Sequence, residues 1–182
     1  MQPQQIIAQI VGTVAVGFNS LSYLQKKKST LLLFQLIGSA LFCTNYLLLG
    51  AMSGAILNVV GIFRAIIFLW KDKLHAENIF WTSGFIGAYL GSYALIFTVF
   101  GKEPTVPNLI IEILPVIAMI AIHLSFRYTS TKMVRRFGLV SSPMWLTYNI
   151  AIFSIPAIIC EIVNLSSIII GILKFDIKRK EK

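Results

Sequence analysis

Residues 20–65 read SLSYLQKKKSTLLLFQLIGSALFCTNYLLLGAMSGAILNVVGIFRA. They hold the end of one apolar segment, a basic turn at Lys26-Lys27-Lys28, and a second apolar segment. A short turn at Gly50-Ala51-Met52 leads into a third apolar segment, which contains Asn58 and Arg64. A similar stretch returns in the second half of the chain. Ser20-Leu21-Ser22-Tyr23 is echoed by His123-Leu124-Ser125-Phe126. At the same offset Phe34 falls on Phe137, Leu36 on Leu139, Ser39 on Ser142 and Thr44 on Thr147. After the next turn the match shifts by three residues and sets Asn58 opposite Asn164. The order apolar, basic, apolar, short turn, apolar with a central Asn repeats as well. The chain reads as two copies of a three-helix unit.

Composition places that unit in a membrane. The mean hydropathy is +0.80, and 57% of residues are hydrophobic against 13% charged; soluble domains carry about a quarter charged residues. A helical span needs roughly 20 apolar residues to cross the hydrocarbon core, and several windows supply them. A barrel would need short strands of alternating polarity, and Ile110–Ile122 does not alternate. The net charge of +9 is not a nucleic-acid signature, because the basic residues sit at segment ends, where membrane proteins anchor their cytoplasmic loops. Cys43 and Cys160 lie inside apolar segments and read as packing residues. The first segment opens with Gln2-Pro3-Gln4-Gln5 and lacks a basic leader, so no cleavable signal peptide is expected.

Seven transmembrane helices are expected, at about 6–24, 30–49, 53–70, 80–100, 107–128, 134–155 and 156–175. Fourteen of the 16 Lys and Arg residues fall at Lys26–Lys28, Lys71 and Lys73, Arg127 to Arg136, and Lys174 to Lys182. An odd number of spans puts all four groups on one face, the cytoplasmic one. The N-terminus is then outside and the C-terminus inside. The expected plan is all-α and polytopic, with two parallel three-helix bundles joined by a linker helix (three plus one plus three). Residues 1–73 form the first bundle, 74–105 the linker and its loops, 106–175 the second bundle, and 176–182 a basic tail. Gly84, Gly87 and Gly91 share one face of the linker helix and read as a close-packing surface.

No nucleophile stands beside a base, so no catalytic residues, metal or cofactor are expected and the protein does not read as an enzyme. The informative residues are polar groups inside spans, which are costly in hydrocarbon and face a bundle interior. Asn58 and Asn164 are the first pair. Phe42, Asn45 and Tyr46 on the second helix and Trp145, Tyr148 and Asn149 on the sixth stand around them. Aromatic faces with amides suit a sugar, a nucleoside or another flat polar solute. Arg64 either snorkels to the headgroups or lines the inner vestibule. Glu112 and Glu161 near outer helix ends are solvated or vestibule groups. His123 is a packed neutral ring or a titrating group, and Pro115 kinks its helix where a hinge would lie.

The run Ser22-Tyr23-Leu24-Gln25-Lys26-Lys27-Lys28, followed by Leu48 to Ala55 and by Asn58-Val59-Val60-Gly61, resembles the YgjV family of bacterial inner-membrane proteins. More distantly, the three-plus-one-plus-three plan is similar to the SWEET and PQ-loop superfamily and to PnuC vitamin transporters. The SWEET likeness implies alternating access and a small-solute site with Asn58 and Asn164 as ligands. It implies flanking groups from Phe42 or Asn45 and from Trp145 or Tyr148. The Pro-Gln pair of PQ-loop helices is missing inside the first helix of either unit: Pro3-Gln4 precedes the helix expected at about 6–24, and Pro115 has no following Gln. Expected partners are a small-molecule solute and membrane lipids, with no nucleic acid; a homo-oligomer is left open. The other readings are a non-transporting receptor or assembly module of the same fold, and a lipid-handling protein or intramembrane enzyme.

Overall fold

The computed structural model describes residues 2–22, 28–128 and 131–177, and all of its regular structure is helical. The helices are α1 (Pro3–Ser22), α2 (Lys28–Leu48), α3 (Met52–Leu69), the single turn α4 (Lys71–Leu74), α5 (Ile79–Thr98), α6 (Val106–Arg127), α7 (Thr131–Ala151) and α8 (Ile155–Gly171). A π-helical turn, Ile172–Ile177, extends α8. The expected basic residues Lys26, Lys27, Lys178, Arg179, Lys180 and Lys182 lie outside the described residues. Among the described residues, four stretches have the length and apolarity to cross a membrane: Met52–Leu69, Ile79–Thr98, Val106–Arg127 and Ile155–Lys174. In α2 the apolar run is shorter, Leu33–Leu48. α7 is diluted by Lys132, Arg135, Arg136 and a polar set at Ser141, Ser142, Thr147 and Asn149.

Six helices close a ring. α1 packs on α2, α2 on α3, α3 on α6, α6 on α7, α7 on α8, and α8 returns to α1. α5 lies outside the ring and bridges α3 and α6. In this circuit α2 stands opposite α7 and α3 opposite α8. The inward faces form one core that includes Phe42, Tyr46, Leu57, Val116, Trp145 and Tyr148. The outward faces keep large apolar side chains exposed, such as Ile7, Ile10 and Val14 on α1 and Ile159, Ile162 and Ile170 on α8. Contiguous apolar surface of that extent is unfavourable in water and fits hydrocarbon.

The repeat is visible in the backbone. Pro3, Lys28 and Met52 open helices, and Val106, Thr131 and Ile155 open helices 103 residues later. The turns match at the same offset. Ala51 N–H donates to Tyr46 O at 2.8 Å, and Ser154 N–H donates to Asn149 O at 3.0 Å. Gly50 has φ +71° and its counterpart Phe153 has φ +58°. The left-handed conformation is natural for glycine and strained for phenylalanine, so the second turn is held by its surroundings. Equal turns leave no place for the three-residue shift read from the sequence. The backbone therefore pairs Asn58 with Glu161, whereas the sequence match had set it opposite Asn164. The expected direct passage from the sixth to the seventh helix is also corrected: residues 152–154 form this turn.

The glycine face of α5 does not pack as expected. Positions 84, 87 and 91 face open space, and α5 buries Thr82, Phe85, Tyr89, Ser92 and Ile96 instead. Those five recur every three or four residues along one stripe, so the bulky side chains take the inward face. Close approach occurs elsewhere. A Cβ at Gly54 would stand 2.8 Å from the Tyr46 ring, so glycine lets α3 lie against that ring.

Candidate functional site

α2 and α7 carry the chemistry into the centre of the ring. The Tyr46 hydroxyl donates to Asn149 Oδ1 at 2.9 Å. These two positions are counterparts under the 103-residue repeat, so the bond links the halves at equivalent points. Tyr46 also stacks on Trp145, with ring centroids 6.0 Å apart and planes 15° from parallel. Phe42 also stacks with Tyr46, with ring centroids 6.0 Å apart. Tyr148 meets both Tyr46 and Trp145 edge-on, at 6.2 and 5.8 Å. Phe42 and Trp145 are counterparts too, as are Asn45 and Tyr148. One half orders its pair amide then phenol, the other phenol then amide.

Asn45, Tyr148 and Ser53 are also engaged. Asn45 Nδ2 donates to the Ala8 carbonyl at 2.7 Å, and Asn45 Oδ1 accepts from the Ser154 hydroxyl at 3.0 Å. Thus one amide ties α2 to α1 and to the α7–α8 turn. The Tyr148 hydroxyl accepts from Gly54 N–H at 3.0 Å. That N–H belongs to the first turn of α3, where helical donors have no partner within the helix, so Tyr148 of one half caps a helix of the other. The neighbouring Ser53 hydroxyl donates to the Glu112 carboxylate, whose other oxygen holds Lys102. A buried carboxylate is tolerable when paired and hydrogen-bonded, and Glu112 has both.

Phe42, Asn45, Trp145 and Tyr148 therefore meet in one cluster. Asn58 and Asn164 do not join it. Each is half-buried, and each makes a local bond one turn back: Asn58 Nδ2 to the Gly54 carbonyl at 2.8 Å, Asn164 Nδ2 to Cys160 Sγ at 3.9 Å. They stand on the opposed helices α3 and α8. Glu161 lies beside Ser142 and Asn164, within electrostatic reach of Tyr46. Pro115 is buried within a continuous α6.

Arg64 does not reach out of the protein as a snorkelling side chain would. It is 7% exposed, with its guanidinium carbon 4.8 Å from the centre of the Phe126 ring. His123 is fully buried nearby, its Nε2 3.4 Å from the Thr82 hydroxyl, with Phe85 5.0 Å and Phe68 5.8 Å from its ring. These residues fill the wedge between α3, α5 and α6.

Sequence reading missed Ser53, Ser154, Thr82 and Tyr89 as members of these clusters. Ser154 carries a signal in retrospect, because it falls 103 residues after Ala51 at the repeated turn. Tyr89 lies four residues after Phe85, on the stripe that packs inward.

A helical ring with an apolar exterior and a polar, aromatic centre defines an integral membrane protein of the α-helical class. The chain belongs to the Imp-YgjV family of bacterial inner membrane proteins, whose family model matches residues 6–179. No curated protein and no solved structure matches it.

Proposed function

We propose that the protein is a transporter or facilitator of a small neutral polar solute such as a sugar, a nucleoside or a vitamin-like molecule. The helices α1–α3 and α6–α8 act as two parallel bundles, α5 links them, and all seven long helices span the inner membrane. The N-terminus lies outside and the basic loops and tail lie in the cytoplasm. The reading rests on one observation, the buried Tyr46–Asn149 bond between equivalent positions of the two halves. Amides and phenols with stacked rings around that bond supply the donors, acceptors and flat faces that a polar solute needs.

In this proposed orientation the cluster, next to the turns at residues 49–51 and 152–154, lies toward the outer end. Tyr46–Asn149, Tyr148–Gly54 and the Lys102–Glu112–Ser53 chain act together as the outer gate. Opening breaks these bonds, and the solute re-forms them with the Tyr46 hydroxyl and the Asn149 amide. Asn58 and Asn164 extend the path from opposite sides, and Pro115 permits bending of α6 because the helix lacks one backbone donor there.

A specific feature favours a second reading. The cluster's polar groups satisfy one another and its rings stack, as in a non-transporting module that uses the same fold for assembly. Uptake into proteoliposomes separates the two. With radiolabelled sugars, nucleosides and vitamins, the wild type exceeds empty liposomes for one class. Asn149→Leu lowers that uptake at least about tenfold, the loss expected from one good polar contact worth about 1.4 kcal/mol. Uptake no faster than in empty liposomes across the panel would leave the second reading in place. Activity would then map to the cytoplasmic basic residues such as Arg135 and Arg136.

A further inference from the structure

We infer that Arg64 forms an anion site in the wedge between α3, α5 and α6, and that its ligand presents a carboxylate or phosphate group. The inference is independent of the cluster between α2 and α7. Arg64 is 7% exposed, and its Nε and Nη1 have no hydrogen-bond partner among the described residues. The described ion pairs are Lys71–Glu77, Lys102–Glu112 and Arg135–Asp176, and none involves Arg64. A buried guanidinium normally keeps a carboxylate beside it, because removing the charge from water is costly. Here the compensation is the Phe126 ring face, which offers no acceptor in the plane of the N–H groups.

A second group shares this incompleteness: His123 Nδ1 is buried without a hydrogen-bond partner among the described residues, within electrostatic reach of Arg64. The buried Tyr89 hydroxyl is the hydrogen-bonding neighbour of Arg64 itself. The Thr82 hydroxyl can donate to or accept from His123 Nε2; an anion selects the tautomer in which Thr82 donates and the ring proton sits on Nδ1 as a donor. The wedge then holds a planar cationic fork, a phenol and an imidazole N–H, and Arg127 adds positive charge near His123. Arginine presents its donors in the geometry of carboxylate and phosphate oxygens. An oxyanion beside Arg64 would supply the acceptor that Nε and Nη1 lack.

The test uses the purified full chain in detergent, melted in sodium phosphate and in sodium succinate against sodium chloride of equal ionic strength. One of the two oxyanions should raise the Tm of the wild type saturably, by about 5–10 °C at roughly 100-fold above its Kd. Arg64→Met removes an unpaired buried charge, so it should fold and melt at or above the wild-type temperature without anion, and it should lose the response. Arg64→Lys keeps the charge but loses the fork, and it should raise the Kd at least about tenfold. A wild-type response to neither oxyanion, or a wild-type Kd in either variant, overturns the site. Repeating the titration in phosphatidylcholine and phosphatidylglycerol nanodiscs separates the sources. An equal response in both identifies a soluble anion. A response lost only in phosphatidylglycerol, with an Arg64-dependent rise in the starting Tm, identifies a lipid phosphate; both results sustain the site.

Discussion

The Tyr46–Asn149 cluster and the Arg64 wedge are both buried and both rich in polar atoms, yet they are finished to different degrees. Around Tyr46, Asn149, Asn45, Tyr148, Ser53 and Glu112, each named donor meets an acceptor within the chain. Around Arg64 and His123, the guanidinium Nε and Nη1 and the imidazole Nδ1 are left without hydrogen-bond partners among the described residues. Unmet buried groups carry their full desolvation cost, so such an arrangement points to something outside the chain that completes it. The network joining the two halves instead takes its partners from within the chain.

Trp145→Ala should show the largest effect on this comparison. The indole is buried against Tyr46 and Tyr148, and its removal should lower stability by about 3–5 kcal/mol, read by chemical denaturation in detergent. A loss below about 1 kcal/mol would mean that the cluster is loosely packed and closer in character to the wedge. Arg64→Met, by contrast, should cost nothing in the absence of anion.

The smallest expected effect lies outside both regions. Arg135 Nε donates to Asp176 Oδ2 at 2.9 Å, and that hydrogen bonding holds the Asp176 carboxyl below its ordinary value of 3.8. A depressed carboxyl means that the unfolded state binds the proton more readily. The contact therefore stabilises above the ordinary value and is lost as pH falls through the folded one. Wild type and Asp176→Asn should differ in Tm near neutral pH and converge between about pH 5 and about pH 3. A difference that persists unchanged at the acid end would show that Asp176 acts through packing.

Much of this organisation was legible in the sequence. The long helices lie close to where apolar windows and basic turns put them, because span length is set by the bilayer and the ends by charge. The repeat was legible through Phe34–Phe137 and Thr44–Thr147. Its continuation was not, because Phe153 occupies a left-handed turn position that glycine fills in the first copy. Without a turn residue to mark it, matching asparagines drew the alignment off register. The Tyr46–Asn149 link was hidden for a related reason: the amide and phenol exchange order between copies, so equivalent positions hold unlike side chains. Partner satisfaction, which separates Asn45 from Arg64, depends on helices distant in the chain and has no local sequence signal.

The most direct measurement is ligand-dependent melting of the wild type and of the Tyr46→Phe/Asn149→Leu double variant against neutral sugars, nucleosides and vitamins. Replacing both partners of a buried bond by apolar groups of similar shape is nearly neutral for stability, so the variant should fold. The account predicts a saturable rise in Tm for the wild type with one solute class and no rise for the double variant. A rise of equal size in both, or no rise in the wild type with any member up to about 100 mM, where even millimolar Kd values are exceeded tenfold or more, would contradict it.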